Sequence, residues 1–498
     1  MSAALPPGST AGGHRLLVTA ALLATFMQAV NISLPNAAVL HIQGALSMTD
    51  DEIGWVFSSY IAASAIVMPM TSWLAGRHGR KMLFQVSLVI FAIALILDTL
   101  ATTPLQFVSA RIIQGAASGT LAPLPMAILL DTLPTHHHGR VGTVWTVASL
   151  LGMFSGPGIG GWLSEYYGWR SIFYFSLPMA AAIFLVMGFW LHEKKADKSA
   201  PFDFFGLAAF SVGIAGLQML LDRGERLEWF ASPEIQVEAM ASVLGFYVFA
   251  VHVLTKRVHF LNKALFRDRN FGVSTVMNFV LGFVLLPTLA LTSPMLEELL
   301  GYPADTAGYI TIPRGVALIG ALLLTWRVPA RIDNRLFIVG GMALVVCGTW
   351  RMLGYSPLMD AWPVAAAGVF QGAGLGILMP ALIRAAFSTL DPGLRPEGTV
   401  LFNLSRLYGS TIGIATVQIF LYGNTQSMHL ALAEHLRPYG AVAHATGPLS
   451  GRALAMVNEI VTGQAAIIAV IDQFKLLMIA MLCVSPLVLF LRKPRPGI

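Results

Sequence analysis

An arginine and a glutamine, Arg111 and Gln114, lie inside an apolar stretch that begins near residue 105. In a hydrocarbon environment an ionised side chain costs ~2.5 to 3.5 kcal/mol or more unless it is paired or faces water. An arginine at such a position is therefore a candidate for binding a charged group. The alternative is that its long side chain extends back to the membrane interface, since Gln106 lies only a turn or two away.

Other polar side chains also occur within apolar stretches. Asn31 and Asn36 carry amides, which can bind a substrate or lock neighbouring helices together, and both roles stay open at this point. An amide carries no proton, and the acidic residues Asp98, Asp131 and Asp222 are all expected near the ends of spans. The candidate substrate-binding or coupling residues are Asn31, Asn36, Arg111, Gln114, Arg314, Gln371, Asn403 and Arg406.

The segment 152–161, GMFSGPGIGG, places five glycines and a proline in a long apolar stretch. In a water-exposed helix each glycine would cost roughly 1 kcal/mol and the proline ~3 kcal/mol. In a bilayer, small residues let two helices approach closely and neighbours can satisfy the groups that a proline frees. We therefore expect a hinge or close-packed seam formed by Gly152, Gly156, Pro157, Gly160 and Gly161.

A glycine turn rich in basic residues follows the second apolar stretch, in the sequence LAGRHGRK at 74–81. Arg77, Gly79 and Arg80, with Asp131 on the same side, suggest an ion-pair latch. The three histidines at 136–138 are more consistent with a solvated loop than with a metal site, because no Cys or acidic ligand apart from Asp131 is near. We expect no metal and no cofactor.

The composition predicts a multi-pass membrane protein. Of 498 residues, 56% are hydrophobic and only 11% are charged, and the mean hydropathy is +0.71. The net charge of +6 is spread over short loops, which favours topology signals over nucleic-acid binding. No phosphate-binding loop, nucleophile elbow or HExxH motif is present, so the chain itself is not expected to hydrolyse ATP or act as an enzyme.

Segments of ~17 to 25 mainly apolar residues mark membrane crossings, and fourteen are predicted. They lie near 15–39, 53–75, 82–102, 105–131, 141–163, 171–192, 204–222, 236–254, 271–292, 306–326, 336–353, 362–386, 399–422 and 472–491. Arg and Lys concentrate in alternate loops, and cytoplasmic loops are the ones that retain them. Both termini are therefore expected in the cytoplasm.

An internal repeat divides the chain. The sequence QGAASGTLAP at 114–123 matches QGAGLGILMP at 371–380 in register, and parallel repeats around a central site are typical of secondary transporters. We expect an all-α fold with two six-helix bundles, at 15–192 and 271–491, joined by a linker at 193–270 that holds two further helices. The ends, 1–14 and 492–498, are cytoplasmic tails, and 423–471 is an outer segment of the second bundle.

These motifs resemble the fourteen-helix drug:proton antiporter branch of the major facilitator superfamily over nearly the whole chain. RIIQG at 111–115 resembles the motif whose arginine is implicated in proton transfer, and 152–161 resembles the antiporter motif. WRSIFYFSLP at 169–178 and LFNLSRLYGSTIGIA at 401–415 resemble the entry to the sixth helix and the penultimate helix. Two positions depart from the family: Asn31 stands where an Asp is common, and Gly76 where the wider superfamily has an acidic residue.

The resemblance implies export of hydrophobic or amphipathic compounds from a bacterial inner membrane by alternating access, with a proton as the coupling ion. Some relatives in Gram-negative bacteria work with a periplasmic adaptor and an outer-membrane channel. The buried arginines favour an anionic amphipathic substrate. Two alternatives stay open: an importer or uniporter of small organic acids on the same fold, and a membrane scaffold or sensor that transports nothing.

Overall fold

A computed structural model describes residues 11–49, 52–133, 138–191, 202–224, 227–255, 264–327, 333–391, 394–434 and 451–492. Within these ranges the chain forms nineteen α-helices and no β-strand. The first ten helices are α1 Ala11–Ser33, α2 Val39–Leu46, α3 Trp55–Val67, α4 Thr71–His78, α5 Arg80–Leu100, α6 Pro104–Leu121, α7 Leu124–Thr132, α8 His138–Tyr167, α9 Ser171–Tyr174 and α10 Ser176–Trp190. They form the first bundle.

The remaining nine helices form a central pair and a second bundle. They are α11 Phe204–Arg223, α12 Pro233–Thr255, α13 Ala264–Arg267, α14 Arg269–Pro294, α15 Ala304–Arg327, α16 Asn334–Met352, α17 Trp362–Phe387, α18 Arg395–Glu434 and α19 Gly451–Val484. A π-helical turn, Met295–Leu299, extends α14, and a 3-10 segment, Ser485–Phe490, extends α19.

Prolines divide several crossings of the first bundle. The chain leaves α1 through a 3-10 turn at Leu34–Ala37 that contains Pro35, and it leaves α3 through Met68–Met70 with Pro69. Pro123 separates α6 from α7 in the same way. A proline has no N–H to donate and its ring crowds the preceding turn, so the helical hydrogen bonding is interrupted at each of these points.

Eleven helical segments of the described residues are long and apolar enough to cross a membrane. The segment Trp55–Met70 is apolar but shorter, while α8 and α18 are helices of 30 and 40 residues. The structure therefore gives an all-helical membrane fold with eleven such spans, and the fourteen crossings remain a prediction.

The last helix begins earlier than the sequence indicates. The final crossing was expected at 472–491, yet α19 starts at Gly451, and α18 continues to Glu434. Hydropathy locates the apolar centre of a helix but not its polar ends, which explains the difference. Within the expected outer segment 423–471, residues 435–450 lie outside the described part of the chain.

The two bundles meet along α8 and α15, and again where α3 approaches α18. In the central pair, α11 packs on α12 and also touches α3 and α18. Arg223 joins the pair at one end by ion pairs of 2.5 Å with Glu234 and 3.0 Å with Glu238. At the other end the carboxylate of Asp203 lies 2.8 Å from the His252 ring. The central pair therefore lies beside the place where α3 and α18 bring the bundles together.

Candidate functional site

Arg111 lies at the centre of a buried polar network in the first bundle. It is only 1% exposed, so its side chain does not reach the surface. Its Nε donates to the carbonyl oxygen of Val56 at 2.9 Å, and one terminal nitrogen donates to Oε1 of Gln114 at 2.5 Å. The guanidinium carbon lies 4.5 Å from the ring centroid of Tyr60, within the range of a cation–π interaction. Arg111 thereby links α6 to α3.

Gln114 extends this network to the first and tenth helices. Its amide nitrogen donates to Oδ1 of Asn31 at 3.3 Å. The amide nitrogen of Asn31 in turn donates to the Ser176 hydroxyl at 2.7 Å and to the carbonyl of Met27 at 2.7 Å. Asn31 and Gln114 thus tie α1, α6 and α10 together, and Asn31 uses its amide as both donor and acceptor.

Three further side chains, those of Tyr60, Ser118 and Gln28, complete this layer. The Tyr60 hydroxyl donates to Oγ of Ser118 at 2.5 Å, and Nε2 of Gln28 donates to the same oxygen at 3.0 Å. Ser118 follows Gln114 by one helical turn, so the i, i+4 spacing in α6 was the signal that could have identified it. Tyr60 carried no such signal, because its contacts come from another helix.

In the second bundle the buried cation is Arg314, on α15. It is 4% exposed and makes one long hydrogen bond, from a terminal nitrogen to the carbonyl of Leu285 at 3.4 Å. Its guanidinium lies 5.6 Å from the ring centroid of Phe154, which belongs to α8 of the first bundle. Among the described residues its Nε has no hydrogen-bond partner. This buried donor is therefore unsatisfied within the described part of the chain.

Gln371 is fully buried near Arg314. Its amide nitrogen lies 3.4 Å from the hydroxyls of Thr288 and Thr349, and its Oε1 accepts no hydrogen bond from the described part of the chain. Gln371 is the repeat counterpart of Gln114, whose side-chain groups are both engaged. The second bundle thus retains unused hydrogen-bonding capacity at a position where the first has none.

The repeat shows how the two arginines are related. A Cβ at Gly115 would collide with the carbonyl oxygen of Tyr60, and one at Gly372, its repeat counterpart, would collide with that of Arg314. Tyr60 and Arg314 therefore occupy equivalent places, and Gly368 is the counterpart of Arg111. A Cβ at Gly368 would lie 3.2 Å from the Cβ of Arg314. The cation comes from α6 in the first bundle and from the partner helix, α15, in the second.

Three predicted site residues lie apart from these networks. Asn36 is buried in the 3-10 turn after α1, and the amide of Asn403 donates to the carbonyl of Thr399 in its own helix at 2.9 Å. Arg406 is half-buried on α18, with its backbone packed against Gly282. Polar links between α14 and α18 are made instead by Asn278, whose amide nitrogen lies 2.6 Å from the carbonyl of Phe402, and by Ser410, which donates to the carbonyl of Gly282 at 3.1 Å.

The glycine cassette of α8 has two faces. Cβ atoms at Gly152, Gly156 and Gly160 would collide with α1 or the turn that follows it, the last of them 2.5 Å from the carbonyl oxygen of Leu34. Gly161 instead faces α15, where a Cβ would collide with the carbonyl of Ala304. A Cβ at Gly308 would likewise lie 2.6 Å from the carbonyl of Pro157. One face of the cassette thus packs against α1 of the first bundle, and the opposite face packs against α15 of the second bundle.

The glycine turn of the expected latch separates α4 from α5. Gly79 has φ of +88°, a conformation that favours glycine. Arg80 donates to the carbonyl of Ala127 at 3.2 Å, and the exposed Arg77 lies 5.4 Å from the Trp73 ring centroid. The side chain of Asp131 lies outside the described residues, as do His136 and His137. In the part that is described, no group of three metal-ligand residues occurs.

Asp98 lies near the end of its span, as the sequence indicates, but its side chain faces the interior of the first bundle. Its side chain, in the last turn of α5, is fully buried, and it interacts electrostatically with Arg111 and Tyr60. Neither carboxyl oxygen has a hydrogen-bond partner within the described ranges. An isolated Asp in the apolar run LVIFAIALILDTL was the available signal, but position along a helix does not reveal which side faces the bundle interior.

An apolar cavity of about 350 Å³ lies between α8 and α15, where the bundles meet. Its lining includes Leu151, Phe154, Trp162, Tyr309 and Val316, and all of these except Phe154 are exposed at the protein surface. Phe154 is also the ring beside Arg314. The cavity and the buried arginine therefore share one aromatic neighbour.

Two repeated helical bundles that enclose buried polar networks define the chain as a multi-pass membrane transporter rather than an enzyme. A family model described as Major Facilitator Superfamily matches residues 21–414. The chain belongs to this superfamily.

Curated relatives are similar over most of their length. The chain is 29% identical to the fatty acid resistance protein FarB of Neisseria gonorrhoeae over 486 residues, which cover 95% of this chain and 94% of that protein. It is 29% identical to the multidrug export protein EmrB of Escherichia coli K12 over 478 residues, with coverage of 93% and 92%.

Solved structures share the fold at low sequence identity. A bacterial homologue of the human lysosomal transporter Spinster, in an inward-facing and unoccupied conformation, matches with a TM-score of 0.65 and 14% identity, covering 98% of this chain and all of that one. The nucleoside transporter NupG matches with a TM-score of 0.60 and 14% identity, covering 94% and 99%.

Proposed function

We propose that this protein is a proton-coupled exporter of amphipathic compounds, with anionic amphiphiles such as fatty acids among its substrates. The relatives FarB and EmrB, named for fatty acid resistance and multidrug export, support the export of such compounds. The observation that carries the anionic preference is Arg314, a buried cation with an unsatisfied donor at the interface of the bundles.

A buried guanidinium without an acidic partner is costly unless something else neutralises it. Arg111 is satisfied by a carbonyl, an amide and an aromatic ring, whereas Arg314 has one long hydrogen bond and a free Nε. A carboxylate can accept two parallel hydrogen bonds from an arginine. Arg314 is therefore the better candidate for the substrate carboxylate, with Gln371 as a second polar contact.

The apolar part of the substrate would occupy the cavity between α8 and α15. Its aliphatic and aromatic lining suits an acyl chain or an aromatic scaffold, and Phe154, which belongs to this lining, also lies beside Arg314. Because the other lining side chains named above are exposed on the surface of a membrane protein, a substrate could enter this cavity directly from the lipid. The two places together fit a molecule with a charged head and an apolar tail.

We further propose fourteen crossings in a bacterial inner membrane, with both termini in the cytoplasm. The segment Trp55–Met70, α8 and α18 would add three crossings to the eleven long apolar spans. The basic loops support the orientation. A periplasmic adaptor and an outer-membrane channel are proposed partners, and purification of the tagged chain from native membranes tests whether they are retained.

Transport by the purified protein in proteoliposomes tests the substrate class. We expect a pH gradient to drive the transport of radiolabelled laurate. An excess of unlabelled laurate should inhibit this transport more strongly than an excess of dodecanol, which has no carboxylate. Replacing a charge-assisted hydrogen bond worth ~1.5–3 kcal/mol, as in Arg314→Gln, should raise the laurate concentration for half-maximal transport roughly ten- to hundredfold. Arg384→Gln is the matched control, because that arginine is exposed at the end of α17.

Three outcomes would contradict this proposal. Unchanged laurate transport in the Arg314→Gln variant would exclude Arg314 as the anion site. An exporter should accumulate laurate in inside-out vesicles whose interior is more acidic than the medium. Accumulation only in right-side-out vesicles would favour an importer. Absence of any flux in either orientation, with the protein correctly inserted, would favour a membrane scaffold or sensor.

A further inference from the structure

We propose that Asp98 is the proton-binding carboxyl group of the first bundle and that its deprotonation draws Arg111 away from Gln114. This inference rests on the proposed proton-coupled function and identifies the residue that carries the proton. Proton binding is thereby assigned to α5, because α1 contains Asn31 and no carboxylate.

The surroundings of Asp98 suit a carboxyl group that is neutral for part of the transport cycle. The side chain is fully buried, and its two oxygens have no hydrogen-bond partner among the described residues. A carboxylate in such a place is strongly disfavoured unless a cation approaches it. Either a bound proton or the guanidinium of Arg111 can neutralise it, and the two can replace one another.

The charged and titratable groups around Asp98 are few. Arg111 faces it from α6 and Tyr60 from α3, and both interact with it electrostatically. Arg170, just before α9, donates to the carbonyls of Thr99 and Ala101 at 2.9 and 3.0 Å, so it caps the end of α5. The helix α10 contains no charged residue.

The groups at the other end of α5 are distant from Asp98. Arg77, His78 and Arg80 lie beside its first turn, and Asp131 ends α7 on that side. Asp98 is in the last turn of the same 21-residue helix, which at 1.5 Å per residue places it roughly 25 Å away from them. Arg170 already donates to two backbone carbonyls, and Arg111 is the cation that interacts electrostatically with Asp98.

No other acidic residue of the bundle core can take this part. The helices α1, α3, α6 and α10 contain no Asp or Glu. The one acidic residue of α8, Glu165, is exposed near the end of that helix. Asn31 already uses both groups of its amide in contacts with Gln114 and Ser176.

The proton step follows from these contacts. With the carboxyl protonated, Asp98 is neutral and Arg111 keeps its hydrogen bonds to Val56 and Gln114. When the O–H bond breaks, the proton passes to water on the side to which the site is open, and the electron pair remains on the carboxylate. Arg111 then moves toward Asp98 and breaks its 2.5 Å hydrogen bond to Gln114. Gln114 is then no longer held by Arg111, and the hydrogen-bond chain from Gln114 through Asn31 to Ser176 of α10 is weakened. Proton loss thereby alters the packing of α1, α6 and α10.

Infrared difference spectroscopy tests proton binding without any substrate. The full-length protein in liposomes is shifted between acidic and alkaline pH, and the C=O band of protonated carboxyl groups is recorded in H₂O and D₂O. We expect an isotope-sensitive band that Asp98→Asn removes and Asp98→Glu retains at a shifted frequency. Asp360→Asn, which alters an exposed carboxylate between α16 and α17, should leave the band unchanged. A band that persists in a folded Asp98→Asn protein would overturn the proposal.

Transport by the same preparations separates this inference from the proposed function. In the Asp98→Asn variant, laurate movement driven by a pH gradient should be lost, whereas exchange of internal for external laurate without a gradient should persist. If the variant retains gradient-driven transport, Asp98 is not the coupling residue. If the wild-type protein transports no laurate but shows the Asp98 band, the proposed substrate class fails and the proton site stands.

Discussion

Replacing Gly161 with alanine should push the two bundles apart at one end of their interface. A Cβ at this position would collide with the carbonyl oxygen of Ala304, and ordinary contact at 3.4 Å would require α15 to move by about 1 Å. Overpacking of this kind typically costs ~1–3 kcal/mol. The cost falls only on conformations in which α8 and α15 touch there, so Gly161→Ala should favour the separated form roughly five- to hundredfold.

Alkylation of a single cysteine measures this shift. Ala307 is fully buried, one turn beyond Ala304 on α15, and Ala307→Cys would be introduced after Cys347→Ser and Cys483→Ser. We expect the rate of maleimide labelling to rise by about the same factor in Gly161→Ala. Gly320→Ala, also on α15, is the matched control because a Cβ there meets no atom within 4 Å. Equal labelling rates in all three proteins would refute the view that Gly161 maintains a contact that opens.

Two further predictions concern stability, measured as the thermal unfolding midpoint of the detergent-purified protein. Ser118→Ala removes the acceptor of two buried donors, each worth ~1–3 kcal/mol when unsatisfied, so it should lower the midpoint clearly more than Ser109→Ala, an exposed position on the same helix. Arg223→Ala should lower the midpoint more than Glu234→Ala does, because it also leaves the mostly buried Glu238 without its ion-pair partner. Equal effects of the two substitutions would contradict this prediction.

The sequence supplied the superfamily and drew attention to Arg111, because family motifs and an intramembrane charge can be read along the chain, but it left open whether that side chain is buried or reaches the interface. It did not supply the network around that arginine. Tyr60 and Ser118 meet because glycines let α3 and α6 approach closely, and this depends on tertiary packing. The one-turn spacing of Gln114 and Ser118 was visible, whereas the partner helix was not.

Asp98 shows more clearly what could not be predicted from the sequence. Counting residues from the end of its span correctly indicated the last turn of α5 but not that the side chain faces inward. Asn36 and Asn403 were candidates because they are amides within apolar stretches, and in the structure Asn36 lies in a turn while Asn403 donates within its own helix, apart from both networks. Position along a helix is encoded locally, while the direction a side chain faces is set by its neighbours.

The buried arginine occupies a different helix in each repeat, and this difference bears on how such a transporter can change its substrate during evolution. The glycines that set the distance between paired helices, Gly115 and Gly372, are the same in both bundles, so the backbone frame is shared. Only the side chains that fill the space between the helices differ, with Tyr60 and Arg111 in one bundle and Arg314 and Gly368 in the other. A charge can therefore move from one helix to its neighbour, or from one half to the other, by point substitutions that leave the frame intact. A fold with two such interchangeable compartments can acquire a new specificity in one half while the other keeps its existing task.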